Sequence, residues 1–292
     1  MELINLLSTN STWLLVSVGL VSLLIGSFLN VVIYRLPVMM EREWKQECIS
    51  FLGGDHGISP DTSTFNLVVP RSQCPVCGHK ITAWENVPII SYLLLGGKCS
   101  GCKTPISIQY PLVELTTALL SVLVAYRYGF SLETLALLFF TWVLVALFMI
   151  DAKTMLLPDD LTYPLLWAGL LLNIDHLFTS LPDSVLGAVF GYLSLWSVFH
   201  LFKLITGKEG MGYGDFKLLA ALGAWGGWQI LPFVIFASSA FGALFGIAWM
   251  VAKRSRESVP MPFGPWLAMA GFVAMVWHQD VIAISTNLFM PH

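Results

Sequence analysis

Four of the five cysteines form two Cys-x-x-Cys pairs. Cys74 is paired with Cys77 and Cys99 with Cys102, and 21 residues separate the two pairs. Each pair has a glycine near its second sulfur, which permits a tight turn, so four thiolates can close tetrahedrally on one ion. This spacing predicts a Zn(2+) site. Because four protein ligands leave no open coordination position, the zinc is expected to be structural.

Two disulfides or four free thiols are the alternatives for these cysteines. The charge pattern described below places the segment in the reducing cytoplasm, which argues against disulfides. Cys48 has no partner at a comparable spacing, so it is expected to be an ordinary cytoplasmic thiol. The polar segment 41–69 around it gives no indication of a role.

Two acidic residues stand at the edges of long uncharged stretches. Asp151 directly follows 17 uncharged residues and begins a segment that runs to Pro158 and Asp159. Asp215 ends the motif Gly212–Asp215, in which glycines alternate with other residues. Glycines beside an acid allow close backbone approach and unusual dihedral angles, which a plain helix cap would not need.

The charge pattern described below places both acids at the same face of a membrane, where they could meet in a partly hydrated cleft. Two carboxylates a few ångströms apart cannot both ionise, so one holds a proton while the other takes one from water. That chemistry hydrolyses a peptide bond without a covalent intermediate. Solvated helix caps are the alternative for all four acids of this kind, which are Asp151, Asp159, Asp160 and Asp215.

Other chemistries fit the sequence less well. There is no Gly-x-Ser-x-Gly motif, and the six histidines are scattered without a His-Glu-x-x-His motif. A closed four-cysteine site also argues against a metalloprotease. No Gly-x-Gly-x-x-Gly follows a strand, so the sequence indicates no Rossmann-type nucleotide site.

The elements that position these residues follow from the composition. Hydrophobic residues make up 56% of the chain and charged residues 11%, where about 25% is usual. The mean hydropathy is +0.75. So few charges cannot cover a water-soluble surface, which excludes a soluble enzyme, a disordered chain and a nucleic-acid binder. The composition predicts an all-α polytopic membrane protein embedded in a lipid bilayer.

About eight apolar segments are candidates for transmembrane helices, with a cytoplasmic zinc-ribbon-like loop between spans one and two. Between Lys217 and Lys253 lie 35 uncharged residues, about 52 Å as one helix against a hydrocarbon core of about 30 Å. Helix breakers at 226–232 split this stretch into spans six and seven, and a re-entrant hairpin is the alternative for span six. The eight segments are 13–32, 112–126, 134–150, 161–178, 184–202, the stretch that ends near Trp228, the stretch that follows it, and 262–277.

Lysine and arginine are concentrated in alternate short loops, as the positive-inside rule describes. Seven lie in loops that follow odd-numbered spans, against Arg127 alone in the opposite short loops. This predicts that the loops after odd-numbered spans are cytoplasmic, that both termini are outside, and that the first span is retained rather than cleaved. The seven are Lys153, Lys203, Lys208, Lys217, Lys253, Arg254 and Arg256.

Several motifs in order resemble the type IV leader peptidase family of prepilin peptidases, in the GxGD class of membrane aspartic proteases. The resemblance covers most of the chain, and the joint order is far more specific than any single motif. Gln109 departs from the family pattern, which commonly has arginine before Tyr-Pro. The motifs are 26–37 (GSFLNVVIYRLP), the cysteine pairs that flank 86–92 (NVPIISY), 110–114 (YPLVE), 151–159 and 212–215 (GYGD).

The resemblance implies that Asp151 and Asp215 are the catalytic acids and that Asp159 and Asp160 are secondary. It implies that the enzyme removes the short basic leader of a type IV prepilin or pseudopilin at the cytoplasmic edge of the bacterial inner membrane. The expected domains are a first transmembrane span at 1–33, a cytoplasmic loop with the cysteine pairs at 34–110, and a seven-span aspartic protease domain at 111–292.

The resemblance also implies a second activity, methyl transfer from S-adenosylmethionine to the new N-terminal amine. In the family this activity is linked to the cysteine loop and to the neighbourhood of Gly97 and Lys98. Two other functions stay open. One is a non-enzymatic transporter or assembly protein whose acids bind cations, although acids at mid-span would suit it better. The other is a methyltransferase without proteolysis.

Overall fold

The computed structural model describes residues 7–52, 63–253 and 261–289. Within these ranges the regular elements are helices, and the extended pairings are two isolated bridges, Gln73 with Lys80 and Lys98 with Pro105. The predicted all-α class is confirmed. The helices are α1 Ser11–Leu52, α2 Ile90–Leu94, α3 Gln109–Tyr128, α4 Leu132–Thr154, α5 Asp159–Leu172, α6 Leu181–Thr206, α7 Tyr213–Gly226, α8 Leu231–Lys253, α9 Gly264–Val276 and α10 His278–Phe289.

Each of the eight predicted apolar segments is largely helical, although the fourth leaves the α-helix after Leu172. Five helices, α1, α3, α4, α6 and α8, are long and apolar enough to cross a membrane, and α9 with α10 adds a sixth if this bent pair is one span. Helices α5 and α7 have 14 residues each. They are about 21 Å long, short of a hydrocarbon core of about 30 Å. The sequence predicts about eight transmembrane helices, and in the described part of the chain five or six helices have the length and apolar character of a full crossing.

Helix α1 is longer than the first predicted span. The apolar stretch ends at Arg35, yet α1 runs for 42 residues and passes through Pro37. The charges end the apolar segment without ending the helix, because the continuation is rich in helix-forming Met, Glu, Arg and Lys. Glu41 and Lys45 add an i,i+4 ion pair of 2.7 Å. The first part of the polar segment 41–69 is therefore helix rather than loop.

The long uncharged stretch is divided at its glycines, as predicted. Helix α7 ends at Gly226, and Gly227 has φ 81° and ψ 171°, a conformation that glycine alone adopts readily. A 3-10 turn at Trp228–Ile230 then leads into α8. At the other end of the chain, α10 is an additional helix beyond the predicted segments, bent by 102° from α9.

The chain forms two compact units, Met1–Tyr126 and Arg127–His292. The first unit contains α1, α2, the cysteine pairs and most of α3. The second contains α4 to α10 and both candidate acids.

Helix α7 is the buried core of the second unit. Helices α5, α6 and α9 pack against it, and every residue from Leu218 to Gly226 is buried. Gly187 of α6 lies so close that a Cβ there would be 2.2 Å from the carbonyl oxygen of Gly223. Small residues thus let the two helix backbones approach, as in other membrane helix pairs.

The last four carbonyl groups of α7, at 223–226, all have hydrogen-bond partners. The N–H of Gly227 donates to the first at 2.8 Å, and the Asn173 side-chain amide donates to the next two at 2.9 and 3.0 Å. The ring nitrogen Nε2 of His278 lies 3.0 Å from the fourth. Because helix ends leave carbonyls without internal partners, these buried polar side chains act as caps. They fix the position of α7 along its own axis within the second unit. The opposite end of α7 carries Asp215.

Candidate active site and metal centre

Asp151 lies in the last turn of α4. The helix begins after Ser131, whose hydroxyl accepts the N–H of Thr134 at 3.2 Å. It ends at Met155, which has φ 54° and donates its N–H to the Asp151 carbonyl at 2.9 Å. The Asp151 side chain is only 4% exposed. It is therefore a buried carboxylate and not the solvated cap that was the alternative.

Asp215 is the third residue of α7 and is 7% exposed. The two glycines before it differ in role. A Cβ on Gly214 would lie 2.7 Å from the Cβ of Leu157, so this position has no room for a side chain. Gly212 has an ordinary φ of −82°, and a Cβ there would be 3.8 Å from its nearest neighbour. The expected close approach exists at Gly214, whereas unusual dihedral angles are present at neither glycine.

Asp151 and Asp215 are brought together within the second unit. The two carboxylates interact electrostatically. Each also has one buried oxygen, Oδ2 of Asp151 and Oδ1 of Asp215, that has no hydrogen-bond partner among the described residues. Buried carboxylate oxygens are normally paired, so an unpaired oxygen on both acids indicates a place where a water or substrate group belongs.

Gly264, at the start of α9, supports this pair and was not singled out by the sequence. A Cβ on Gly264 would lie 2.6 Å from Asp151 Oδ2 and 3.1 Å from Leu157 Cδ1. Leu157 thus contacts both Gly214 and Gly264 beside the acids. The sequence feature that could have identified Gly264 is its position between two prolines at the start of the last predicted apolar segment.

Asp159 and Asp160 are exposed in the first turn of α5. The Lys217 ammonium lies 2.7 and 2.8 Å from the two Asp159 oxygens and 5.1 Å from the centre of the Tyr163 ring. Asp159 therefore links α5 to α7 at the surface. Neither acid is part of the buried pair.

The four cysteine sulfurs lie within 4.8 Å of one another. Cys74 Sγ is 3.7 Å from Cys102 Sγ, and Cys77 Sγ is 3.9 Å from Cys99 Sγ. A disulfide bond is about 2.05 Å long, so these are four free thiols. Sulfurs held about 2.3 Å from a tetrahedral zinc would be about 3.8 Å apart, so the donor set fits one zinc ion. Cys48 is exposed on α1 and is not in the cluster.

Two turns of the same design present the sulfurs. The N–H of Gly78 donates to Cys74 O at 2.9 Å, and the N–H of Lys103 donates to Cys99 O at 3.0 Å. Gly78 and Lys103 have φ of 70° and 62°. The left-handed position therefore follows the second cysteine of each pair. Gly101 is not a turn glycine of this kind, and it packs against the first turn instead.

A hydrogen-bonded network that the sequence did not indicate joins the two turns. The Ser100 hydroxyl donates to the Glu85 carboxylate, as do the N–H and hydroxyl of Thr82 at 2.8 and 2.9 Å. His79 Nε2 lies 3.1 Å from the same carboxylate. These hydrogen bonds, that of Ser100 above all, lower the pKa of Glu85 to about 2. The network's stabilising effect is therefore complete above about pH 4.5 and is lost as the pH falls toward 2.

The 26–37 motif lies in the middle of α1. Arg35 is buried, and its guanidinium donates to the carbonyls of Asn66 and Pro70 at 2.8 and 2.5 Å. It also lies 5.5 Å from the centre of the Phe65 ring. Arg35 thus holds the 65–70 segment against α1.

The described residues combine apolar helices of membrane-spanning length, two buried acids at helix ends and a four-cysteine cluster that could hold a metal ion. Comparison with known proteins identifies the family. Residues 20–128 match the bacterial peptidase A24 N-terminal domain, and residues 138–247 match the type IV leader peptidase family.

Similar proteins named prepilin leader peptidase/N-methyltransferase occur in several bacteria. The chain is 55% identical over 281 residues to that of Pseudomonas aeruginosa, covering 96% of each chain. It is 56% identical over 283 residues to that of Aeromonas hydrophila, covering 96% of this chain and 97% of the relative. The protein of Legionella pneumophila is 42% identical over 281 residues, with the same coverage. No solved structure matches the chain. The chain belongs to the type IV leader peptidase family, and it is a multi-pass membrane protein.

Proposed function

We propose that this protein is a membrane aspartic endopeptidase that removes the leader of type IV prepilins or pseudopilins and N-methylates the new N-terminal residue. The observation that carries the peptidase proposal is the pair Asp151 and Asp215, buried at two helix ends, interacting, and each with an unpaired oxygen. The relatives that match the whole chain are named for both activities.

The two acids divide the work of hydrolysis. The ionised carboxylate takes a proton from a water molecule, whose oxygen bonds to the carbonyl carbon of the scissile peptide. The protonated acid gives its proton to the carbonyl oxygen. When the tetrahedral intermediate collapses, the carbon–nitrogen bond breaks and the leaving nitrogen receives a proton from the acid that took it from water. One hydroxyl of the intermediate returns its proton to the other acid, which leaves a carboxyl group on the leader and restores the pair with one proton. The products are the leader peptide and a pilin with a free N-terminal amine.

The proposed location is the bacterial inner membrane, with the acids at its cytoplasmic face. Support comes from the basic residues after odd-numbered apolar segments, although Arg254 and Arg256 lie outside the described residues. A leader in the cytoplasm would then meet acids at the edge of the bilayer. Labelling of single cysteines in intact cells tests this, with Lys153→Cys and Lys208→Cys protected and Arg127→Cys accessible from outside.

We also propose that the segment 34–110 holds a structural zinc and that 111–292 forms the protease domain. The zinc ligands would be the four thiolates, and a bound zinc would supply a cross-link between the two cysteine turns. The methyl donor would be S-adenosylmethionine, in keeping with the N-methyltransferase activity for which the relatives are named.

The test is incubation of the purified protein in lipid with a synthetic prepilin, with and without S-adenosylmethionine, followed by mass spectrometry of the products. We expect loss of the leader in both reactions. Only when the methyl donor is present should the cleaved pilin gain about 14 Da, the mass change when a methyl group replaces a hydrogen. An intact prepilin in both reactions would favour the transporter or assembly alternative.

A further inference from the structure

A second buried polar cluster lies in the first unit, between α1 and α3. Glu114 is 7% exposed and Asn30 is 4% exposed, and each lies in an apolar stretch of its helix. Gly26 allows the helices to meet here, since a Cβ on it would lie 2.7 Å from the Glu114 Cα. The Ser27 hydroxyl also interacts with the Glu114 carboxylate. The peptidase mechanism uses none of these residues.

The Glu114 carboxylate holds a strained piece of backbone. The N–H of Ile89 donates to Glu114 Oε2 at 2.8 Å. Ile89 has φ 59° and ψ −49°, a conformation that is rare for a β-branched residue and costs on the order of 1–3 kcal/mol. Such strain persists where the surroundings enforce it, and it is concentrated at functional sites. Ile89 begins the short helix α2, which leads toward Gly97 and Lys98.

The cluster has an excess of hydrogen-bond acceptors. The Asn30 amide nitrogen donates to the carbonyls of Gly26 and Tyr110 at 3.3 and 3.1 Å, which fixes the orientation of the amide. Its oxygen Oδ1 is then buried, and no group in the described part of the chain donates to it. No Lys or Arg is among the groups that act on the Glu114 carboxylate. Gly26 meets Glu114, and Asn30 meets Tyr110, so the carboxylate and the unpaired amide oxygen belong to neighbouring turns of the same α1–α3 contact. Two such acceptors need a ligand that carries N–H donors and positive charge.

We propose that Glu114 and Asn30 bind the N-terminal amine of the cleaved pilin and that Glu114 takes its proton for methyl transfer. This rests on the methyltransferase part of the proposed function. The ammonium gives one proton to the carboxylate, and the resulting amine forms a nitrogen–carbon bond with the methyl group of the sulfonium donor. The carbon–sulfur bond breaks, and its electron pair stays on sulfur. The products are a methylated ammonium and the neutral thioether.

The decisive variant is Glu114→Gln, which keeps an oxygen to accept the Ile89 N–H but can neither carry the charge nor take the proton. Methylation of a precleaved pilin should fall by about 100-fold or more, the usual effect of losing a general base. Cleavage of the prepilin and the zinc content should stay within about twofold of the wild type, which shows that the fold is intact. Glu133→Gln, the same substitution in the first turn of α4, is the matched control and should leave both activities unchanged.

Binding gives a readout that does not depend on turnover. Fluorescence anisotropy would compare a labelled precleaved pilin peptide carrying a free N-terminal amine with the same peptide N-acetylated. The wild-type protein should prefer the free amine by about tenfold or more, and Glu114→Gln should lose that preference, as expected for one charge-assisted hydrogen bond. Asn30→Leu, which removes the unpaired oxygen, should weaken the preference as well.

Three results would overturn the proposal. One is methylation by Glu114→Gln at the wild-type rate. Another is equal binding of the free and acetylated peptides by the wild-type protein. The third is loss of S-adenosylhomocysteine binding in Glu114→Gln with the peptide preference intact, which would assign the cluster to the amino group of the methyl donor. If the wild-type protein does not methylate at all, the second activity fails, and the anisotropy comparison still decides whether the cluster binds an amine.

Discussion

The cysteine cluster and the acid pair are built in opposite ways. Each cysteine turn closes through hydrogen bonds between residues a few positions apart, such as Gly78 to Cys74 and Lys103 to Cys99. The acids are 64 residues apart, and they meet only because the last turn of α4 and the first turn of α7 lie close together. One site is therefore specified by local spacing, whereas the other depends on the packing of a whole helical unit.

The two sites also differ in how fully their polar atoms are paired. Around the cysteines, Glu85 accepts hydrogen bonds from Ser100 and Thr82, and the sulfur geometry fits a closed metal site. At the acid pair, Asp151 and Asp215 each keep a buried oxygen without a partner. A fully paired network stabilises structure, whereas an unpaired buried acceptor marks a place for reaction. The difference supports the proposed structural role of the first site and the proposed chemistry of the second.

The largest expected effect comes from removing either acid. Asp151→Asn and Asp215→Asn should each reduce cleavage by at least about 10³-fold, because an amide can neither take a proton from water nor share one proton with its partner. The double variant should lose little more than either single variant, since the two acids act as one unit. Mass spectrometry of a cleaved synthetic prepilin measures both. Zinc content and methylation of a precleaved substrate should persist, and losing them together with cleavage would mean that the fold had failed.

The division between local and long-range structure also explains what the sequence could predict. The cysteine ligands follow from spacing, and the helix break at Gly227 follows from a glycine-rich stretch too long for one span. The buried acids were identifiable as candidates because charge is rare next to long apolar stretches. Their proximity, the burial of α7 and its caps at Asn173 and His278 could not be predicted, because they arise from contacts between segments far apart in the chain.

The next largest effect tests the packing around the acids. Gly264→Ala would place a methyl group 2.6 Å from Asp151 Oδ2 and should reduce cleavage by about 10- to 100-fold, the cost of a small misplacement of a catalytic group. Gly214→Ala should have a similar effect through Leu157. Gly212→Ala is the control, and it should retain most of the activity although it lies in the same GxGD motif, because its Cβ has room. Equal losses at Gly212 and Gly214 would show that the motif acts through something other than close packing.

Breaking the cysteine cluster should affect methylation at least as much as cleavage. Cys77→Ser removes one of four ligands, so bound zinc should fall well below one ion per chain and methylation should drop by about tenfold or more as the loop loosens. Cleavage should fall by no more than methylation does. Cys48→Ser, outside the cluster, should keep full zinc content by metal analysis. Absence of zinc from wild-type protein purified under reducing conditions without chelators would refute the zinc assignment.

The smallest effect is expected at the surface acid next to the catalytic segment. Asp159 is about half exposed and pairs with Lys217, so Asp159→Asn should cost about 0.2–1 kcal/mol of stability and leave cleavage within about threefold. A double-mutant cycle with Lys217→Met, measured by thermal unfolding at low and high salt, should show a small coupling that salt weakens. The activities decide between two assignments of the first acid. A dead Asp159→Asn beside a nearly wild-type Asp151→Asn would move that acid along the loop to an exposed, ion-paired position, and burial would then no longer distinguish the catalytic carboxylate.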